Sequence, residues 1–282
     1  MAASPLSTVH SARQNVAAAL AGIRDEAGLK NIELSARCEW SRSKTSRIAR
    51  GLTLPSPADI RTWCAVCGSP DRADTLIAQV HRVQSMYREW RQLHRNGMRH
   101  VHQQSRPLYE RTRVFRFYSS SVLPSLLQEQ GYAQGLLRMM TAFQGTPDDV
   151  DAAVQARLSR ARLLHHGPRT LCALMEETVL YHRVCSREDM TQQLRALLTM
   201  MCRPNITLGV LPFGAERTVW PGESFYVFDY AEVALETFTA TITITAPGEV
   251  TSYRDAFEQL AASAVYGPQA AECIERALRA LG

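Results

Sequence analysis

Residues 28–51 read Gly-Leu-Lys-Asn-Ile-Glu-Leu-Ser-Ala-Arg-Cys-Glu-Trp-Ser-Arg-Ser-Lys-Thr-Ser-Arg-Ile-Ala-Arg-Gly: a short helix, a tight turn, and a second helix that opens at Ser41 and closes at Gly51. The Ser41 hydroxyl can accept from the free N–H groups of the helix it starts, and Gly51 can take the left-handed conformation that ends it. On a wheel of about 100° per residue, Arg42, Ser43, Ser46, Arg47 and Arg50 fall in one arc of about 140°. Thr45 and Ile48 point the other way. A helix with an apolar back and a front of guanidinium and hydroxyl groups suits a DNA groove, where Arg forks onto guanine edges and every cation is drawn to the backbone. The expected assignment puts Arg42, Ser43 and Ser46 nearest the bases, and Lys30, Asn31, Lys44, Arg47 and Arg50 on phosphates.

The flanks extend the pattern. Val16, Leu20, Ile23 and Ala27 make one apolar helical stripe before the Gly28-Leu29 turn. Leu52-Thr-Leu-Pro-Ser-Pro leads to a fourth helix from Ala58 to about Cys67, with Ile60, Trp63 and Val66 facing inward. Across residues 12–68 the chain resembles the Xre, lambda-repressor-like helix-turn-helix family, with Glu33-Leu-Ser matching the family's Glu-Leu-Ala. The resemblance implies a five-helix DNA-binding domain in which Leu34 is core, Ser35 is the small residue where two helices touch and Trp40 fills a buried turn position. It also implies a structural pair between Arg24 and Glu33. Two departures stand out. Lys30 replaces the usual Thr or Ser cap, leaving the second helix poorly capped or capped by Asn31, and Cys38-Glu39 replaces the usual Leu-Gly of the turn.

The chain has 282 residues and a net charge of +5, enough for two domains with their own cores. That charge is unevenly spread. Residues 1–118 hold 19 Lys and Arg against 9 Asp and Glu, whereas residues 119–282 hold 13 against 18. The basic half contains the helix-turn-helix, as phosphate binding requires. Residues 1–11 lack the basic start and apolar stretch of a signal peptide and read as a flexible tail. No apolar run approaches membrane-spanning length, so no membrane association is expected. Seven scattered cysteines fit reduced thiols in a cytoplasm.

The helix-turn-helix domain is expected over 12–70 and a helical connector over 71–113. The nine arginines from Arg82 to Arg116 read as solvated charge, with a second DNA-contacting surface as the alternative. From Val114 an α+β domain with a small sheet is expected through residue 282. Phe115-Arg-Phe-Tyr and the stretch that follows from Val122 open a helical segment. Further helices are expected at about 147–165, 187–202, 249–264 and 268–281. Strands are expected at Thr170–Glu176, Ile206–Leu211, Phe225–Tyr230 and Val233–Thr245. The phrases Pro124-Ser-Leu-Leu-Gln-Glu-Gln-Gly-Tyr-Ala, Asn205-Ile-Thr-Leu-Gly-Val-Leu-Pro-Phe and Tyr253-Arg-Asp-Ala-Phe-Glu-Gln-Leu are similar to the C-terminal domain of actinomycete Xre regulators of the WhiJ type, also described as antitoxin-like. That resemblance implies a domain with no settled biochemical activity, and a small partner protein encoded nearby.

Enzyme chemistry finds little footing. Cys64-Ala-Val-Cys67 is a lone pair without the further ligands zinc needs, and reads as two small core residues. His100 with His102, and His165 with His166, sit in polar, Arg-rich surroundings and read as solvated. Glu176-Glu177 beside Tyr181 and His182 would need a cleft to act as acid and base; a strand end in water or a pocket rim explains them equally well. No catalytic residue, metal or cofactor is therefore expected. Phe115, Phe117, Trp220, Phe225, Tyr226 and Phe228 are the candidate ligand or partner pocket. The leading expectation is a DNA-binding transcriptional regulator acting as a homodimer on a palindromic operator, because one module reads only a few base pairs. The alternative is an antitoxin-like protein whose main role is to hold a small partner protein.

Overall fold

The computed structural model describes residues 5–165 and 167–282, with side chains from Ala12 onward except those of residues 82, 84–88, 91 and 96. The chain divides into two compact units between Arg88 and Glu89.

The first unit is helical among the described residues: α1 (Pro5–Glu26), α2 (Asn31–Arg37), α3 (Arg42–Ala49), α4 (Pro57–Val66) and α5 (Ala73–Met86). The expected tail is thus partly helix, and its first four residues lie outside the described ones. The α1 stripe of Val16, Leu20 and Ile23 packs with Leu34, Ile48, Ile60 and Trp63 in one core. Trp63 lies fully inside and donates its Nε1–H to the Leu20 carbonyl at 3.0 Å, which ties α4 to α1. Helix α4 opens on a reciprocal cap. Asp59 N–H donates to Ser56 Oγ at 3.1 Å, and Ser56 N–H donates to the Asp59 carboxylate at 3.0 Å, with Pro57 supplying a preset φ at the first turn.

Helix α5 corrects the expected connector. Ala73, Leu76, Val80 and Val83 belong to the same core as α1 to α4, so the first unit does not end near residue 70. Their spacing makes a helical stripe like that of α1. The polar outer face of this segment masked it in the composition.

Strand β1 (Tyr87–Glu89) spans the boundary, and the second unit goes on with α6 (Trp90–Leu93), α7 (Met98–Gln104) and α8 (Arg106–Arg111). A mixed sheet follows, built from β2 (Val114–Ser119), β3 (Thr170–Glu176), β4 (Ile206–Leu211), β5 (Phe225–Phe228), β6 (Glu232–Glu236) and β7 (Ala240–Ile244). These six lie in the order β7-β6-β5-β2-β3-β4. Strands β2, β3 and β4 are parallel, with Phe117 opposite Ala173 and Ala173 opposite Leu208. The crossovers are α9 (Gln130–Gln144) with α10 (Val150–Ala161), and α11 (Arg187–Met200). The β5-β6-β7 side is antiparallel, and α12 (Pro247–Ala262) and α13 (Gly267–Ala280) close the chain.

Two sequence expectations fail here. Phe115-Arg-Phe-Tyr opens no helix: it is the central strand β2. Its alternation is the signal, since Phe115 and Phe117 enter the core with Leu136 of α9, Leu194 of α11 and Ile274 of α13. The intervening Arg116 instead reaches Glu258 of α12 at 3.6 Å. Likewise Val233–Thr245 is a hairpin rather than one strand. Its turn lacks Gly and Pro and is closed by Thr237, whose N–H donates to the Ala240 carbonyl at 2.9 Å and whose Oγ1 accepts from Ala240 N–H at 3.1 Å. Strand β5 stops at Phe228, two residues before Tyr230, because Asp229 turns to a φ of 52° and accepts from the Arg113 and Val114 N–H groups.

Candidate nucleic-acid interface

The helix-turn-helix is shaped by how its helices end. At the close of α3, Gly51 N–H donates to the Ile48 carbonyl and Leu52 N–H to the Arg47 carbonyl, both at 2.9 Å. Gly51 sits at φ +67°. This doubly bonded, left-handed stop recurs after α1 with Gly28 and after α4 with Gly68. In the turn between α2 and α3 the same two bonds form, Glu39 N–H to Ala36 and Trp40 N–H to Ser35. There the left-handed position is held by Glu39 at φ 56°. The expected departure therefore falls on residue type and not on geometry.

Helix α3 opens on Ser41, whose hydroxyl accepts from Lys44 N–H at 3.2 Å. Its back is Thr45 and Ile48, both buried. The Thr45 and Ser35 hydroxyls share a 2.9 Å hydrogen bond inside the unit, which fixes the angle between α2 and α3 at their contact. The front carries Arg42, Ser43, Arg47 and Arg50 in solvent, with Ser46 half-buried. Arg42 and Arg47 make no ion pair among the described residues. Arg50 folds weakly onto the Ser46 carbonyl at 3.4 Å. Gln14 of α1, unremarked in the sequence, braces the far end by donating to the Arg50 carbonyl at 3.2 Å.

Three expected contacts move. Lys44 leaves the front: its Nζ pairs with Asp59 at 2.6 Å and lies 4.3 Å from the centre of the Trp40 ring. Burial raises the Asp59 pKa, but the bonds from Lys44 and Ser56 outweigh it, and the carboxyl ends below its ordinary value. Trp40, expected as buried, is half-buried under that lysine. The Arg24–Glu33 pair does not form either. Arg24 turns to Asp25 at 2.6 Å and to the Asn31 amide oxygen. Glu33 accepts from Lys30 N–H at 2.7 Å, one half of a capping box whose other half a serine at position 30 would supply. Asn31 is accordingly the first helical residue, not the cap. Lys30 keeps its ammonium in solvent.

The candidate pocket of the second unit is not one site. Phe115, Phe117, Phe225, Tyr226 and Phe228 are all buried in the sheet. Rings of Phe117, Tyr226 and Phe228 meet edge to face at 4.8 and 5.6 Å. Trp220, by contrast, is 78% exposed in the loop between β4 and β5. The five are core because helices cover both faces of their strands.

Glu176 and Glu177 are neither solvated nor at a rim. Both are buried, and they point to different partners. Glu176 accepts from Tyr118 OH at 2.8 Å and from both terminal nitrogens of Arg217 at 2.6 and 3.2 Å. Glu177 accepts from Phe213 N–H and from Arg276, each at 2.8 Å. Cys64 and Cys67 are buried in the first core, and burial pushes both thiols up. His165 is exposed and His166 lies outside the described residues. His102 is not solvated: its Nδ1 is 3.0 Å from Arg160 and its Nε2 is enclosed. Among the described residues no cluster of His, Cys, Asp and Glu could hold a metal, and no helix is long and apolar enough to cross a membrane.

A family model described as a helix-turn-helix domain matches residues 16–76. That range contains the turn, the Arg-bearing front of α3 and the start of α5. No curated protein matches the chain. One solved structure, described as TrmBL2, an archaeal chromatin protein with a novel mode of DNA binding, aligns over 85% of this chain and 88% of its own length at 13% identity with a TM-score of 0.32, a likeness too slight to carry an argument. Residues 108–276, most of the second unit, match the domain of unknown function DUF5753. A helix-turn-helix domain thus precedes it, and the chain belongs to the DUF5753 family.

Proposed function

We propose that this chain is a sequence-specific DNA-binding transcriptional regulator of the Xre type, acting as a dimer on a palindromic operator, with a second unit that senses a ligand or partner protein. The observation that carries the DNA reading is the front of α3. Arg42, Ser43, Arg47 and Arg50 stand in solvent on one face while Thr45, Ile48 and Lys44 are taken up by the unit itself. Base contact belongs to Arg42, Ser43 and Ser46, and phosphate contact to Lys30, Arg47 and Arg50. The second unit is read as a binder and not a catalyst, because each buried carboxylate of the Glu176-Glu177 pair is already bound to its own arginine. The test is to select genomic fragments with the purified protein and sequence them. A shared motif with two inverted half-sites about one helical turn apart, bound by a species of twice the chain mass in light scattering, is the expected result. Fragments without a common motif would overturn the reading.

The exposed rings of Trp220, Phe213 and Phe238 favour a second reading, in which the main role is to hold a small partner protein and DNA binding serves autoregulation. A partner that co-purifies from the native host in equal amounts, with no genomic motif beyond its own promoter, would select that alternative.

A further inference from the structure

Helix α10 buries two arginines that have no anion. Arg157 and Arg160 are 7% and 6% exposed. Arg157 donates one terminal N–H to the Gln128 side-chain oxygen at 2.7 Å. That glutamine is itself held by the Leu123 carbonyl. Arg160 donates to the Ser105 hydroxyl and, at 3.0 Å, to Nδ1 of His102, with its guanidinium 4.5 Å from the centre of the Tyr109 ring. Every one of these acceptors is neutral. Arg157 and Arg160 form no ion pair among the described residues. Glu236 of β6 acts on Arg157 only through space, and its own side chain is exposed.

Hydrogen-bond capacity is left unused here as well. The Nε–H groups of Arg157 and Arg160 are enclosed and meet no acceptor. An arginine can only donate, so Nδ1 of His102 must be the acceptor in their bond, and the neutral ring carries its proton on Nε2. That Nε2 is also enclosed without a partner. Burial, then the charges of Arg157, Arg160 and His94, hold the His102 pKa well below its ordinary value, so the ring stays neutral near pH 7. The Tyr226 phenol, buried beside Ser119, lies within electrostatic reach of Arg157. Both buried guanidiniums thus meet only neutral acceptors and keep an Nε–H unmet, as the Nε2–H of His102 is unmet, and what is missing carries negative charge. A lone buried cation is strongly disfavoured unless something neutralises it, and water would satisfy hydrogen bonds without supplying the charge.

We propose that the second unit binds a small oxyanion, the carboxylate or phosphate group of a small molecule, on the guanidinium groups of Arg157 and Arg160, with the Nε2–H of His102 as a further donor. This deepens the reading of the second unit as a ligand-binding domain, yet it can be tested with no DNA present. The probes are inorganic phosphate and acetate, titrated into the full-length protein at constant ionic strength with chloride as the balance, and read as thermal unfolding and by calorimetry. A saturable rise in Tm with one or both is expected, and the stronger probe identifies which of the two groups the site takes. Because the basic front of α3 could also attract phosphate, the Arg42→Ala, Arg50→Ala variant serves as control and should keep the rise. Arg157→Met with Arg160→Met should keep the circular dichroism of the wild type and bind the anion at least tenfold more weakly. Should that pair disrupt folding, Arg160→Gln alone should weaken binding in the same direction. Equal Tm in phosphate, acetate and chloride would overturn the proposal, as would an unchanged rise in the α10 variants. Operator binding that fails while the anion still binds would remove the DNA reading and leave this site standing.

Discussion

Glu39 holds a left-handed backbone at φ 56° where a glycine would meet no steric penalty, and its side chain is exposed. The strain of a non-glycine residue there is about 1–2 kcal/mol. Glu39→Gly should therefore stabilise the first unit by about 1 kcal/mol after the entropy cost of a freer unfolded chain, read as a higher urea midpoint at unchanged slope. A lower midpoint would show that Glu39 makes a contact worth more than the strain. Asp59 offers a second test at this scale. It caps α4 and holds Lys44, and its carboxyl is depressed below the ordinary 3.8. Its contribution is then fully present above the unfolded value and is lost as pH falls below about 4 through the folded value. Asp59→Asn should flatten that acid limb of the stability profile; an unchanged limb would assign it to other carboxylates. Glu39 was visible in the sequence as an oddity in the turn, and Asp59 was not. A capping serine three residues before an acid is a local pattern, but the Lys44 partner comes from another helix.

At the scale of elements, α3 was legible because its cap, its stop and its two faces all lie within eleven consecutive residues. Its expected contacts carry a difference in kind. Arg42→Ala should cost about 1–3 kcal/mol on the preferred operator and loosen preference at one base position. Arg50→Ala should weaken all sequences alike and lower the slope of log affinity against log salt by about 1. If Arg42→Ala leaves base preference intact in a selection experiment, α3 is not the helix that reads the groove. Lys44→Ala separates structure from contact: it should lower stability by about 1 kcal/mol, discounted for its partial exposure, with little change in salt slope. Strands were harder to read. The parallel β3 and β4 match their expected bounds, because buried parallel strands are unbroken apolar runs. The β6-β7 hairpin was missed because Thr237 turns the chain with a hydroxyl where a glycine would have announced it.

For the whole molecule, the boundary between units is the most testable correction. The first core takes in Leu76, Val80 and Val83 of α5, each worth about 1.5–3 kcal/mol when buried. A fragment ending at Arg88 should unfold cooperatively, and one ending at residue 70 should lose several kcal/mol or fail to fold, as judged by urea titration of both. Equal midpoints would return α5 to the role of a connector.

What the sequence determined by itself is what short-range spacing encodes: the caps of α3, the apolar stripe of α1, the charged front of residues 42–50, and the asymmetry of charge between the halves. Tertiary structure alone decided which charges are free. Lys44 went to Asp59, and Glu176 and Glu177 to Arg217 and Arg276, 41 and 99 residues away. The same holds for the aromatic strands, whose rings became core when helices covered both faces of the sheet. It holds too for Arg157 and Arg160, ordinary helix residues in the sequence, which burial left without a counter-charge. Local patterns follow from backbone geometry over a few residues, whereas the partner of a charge depends on chain that is distant in sequence and brought near only by packing.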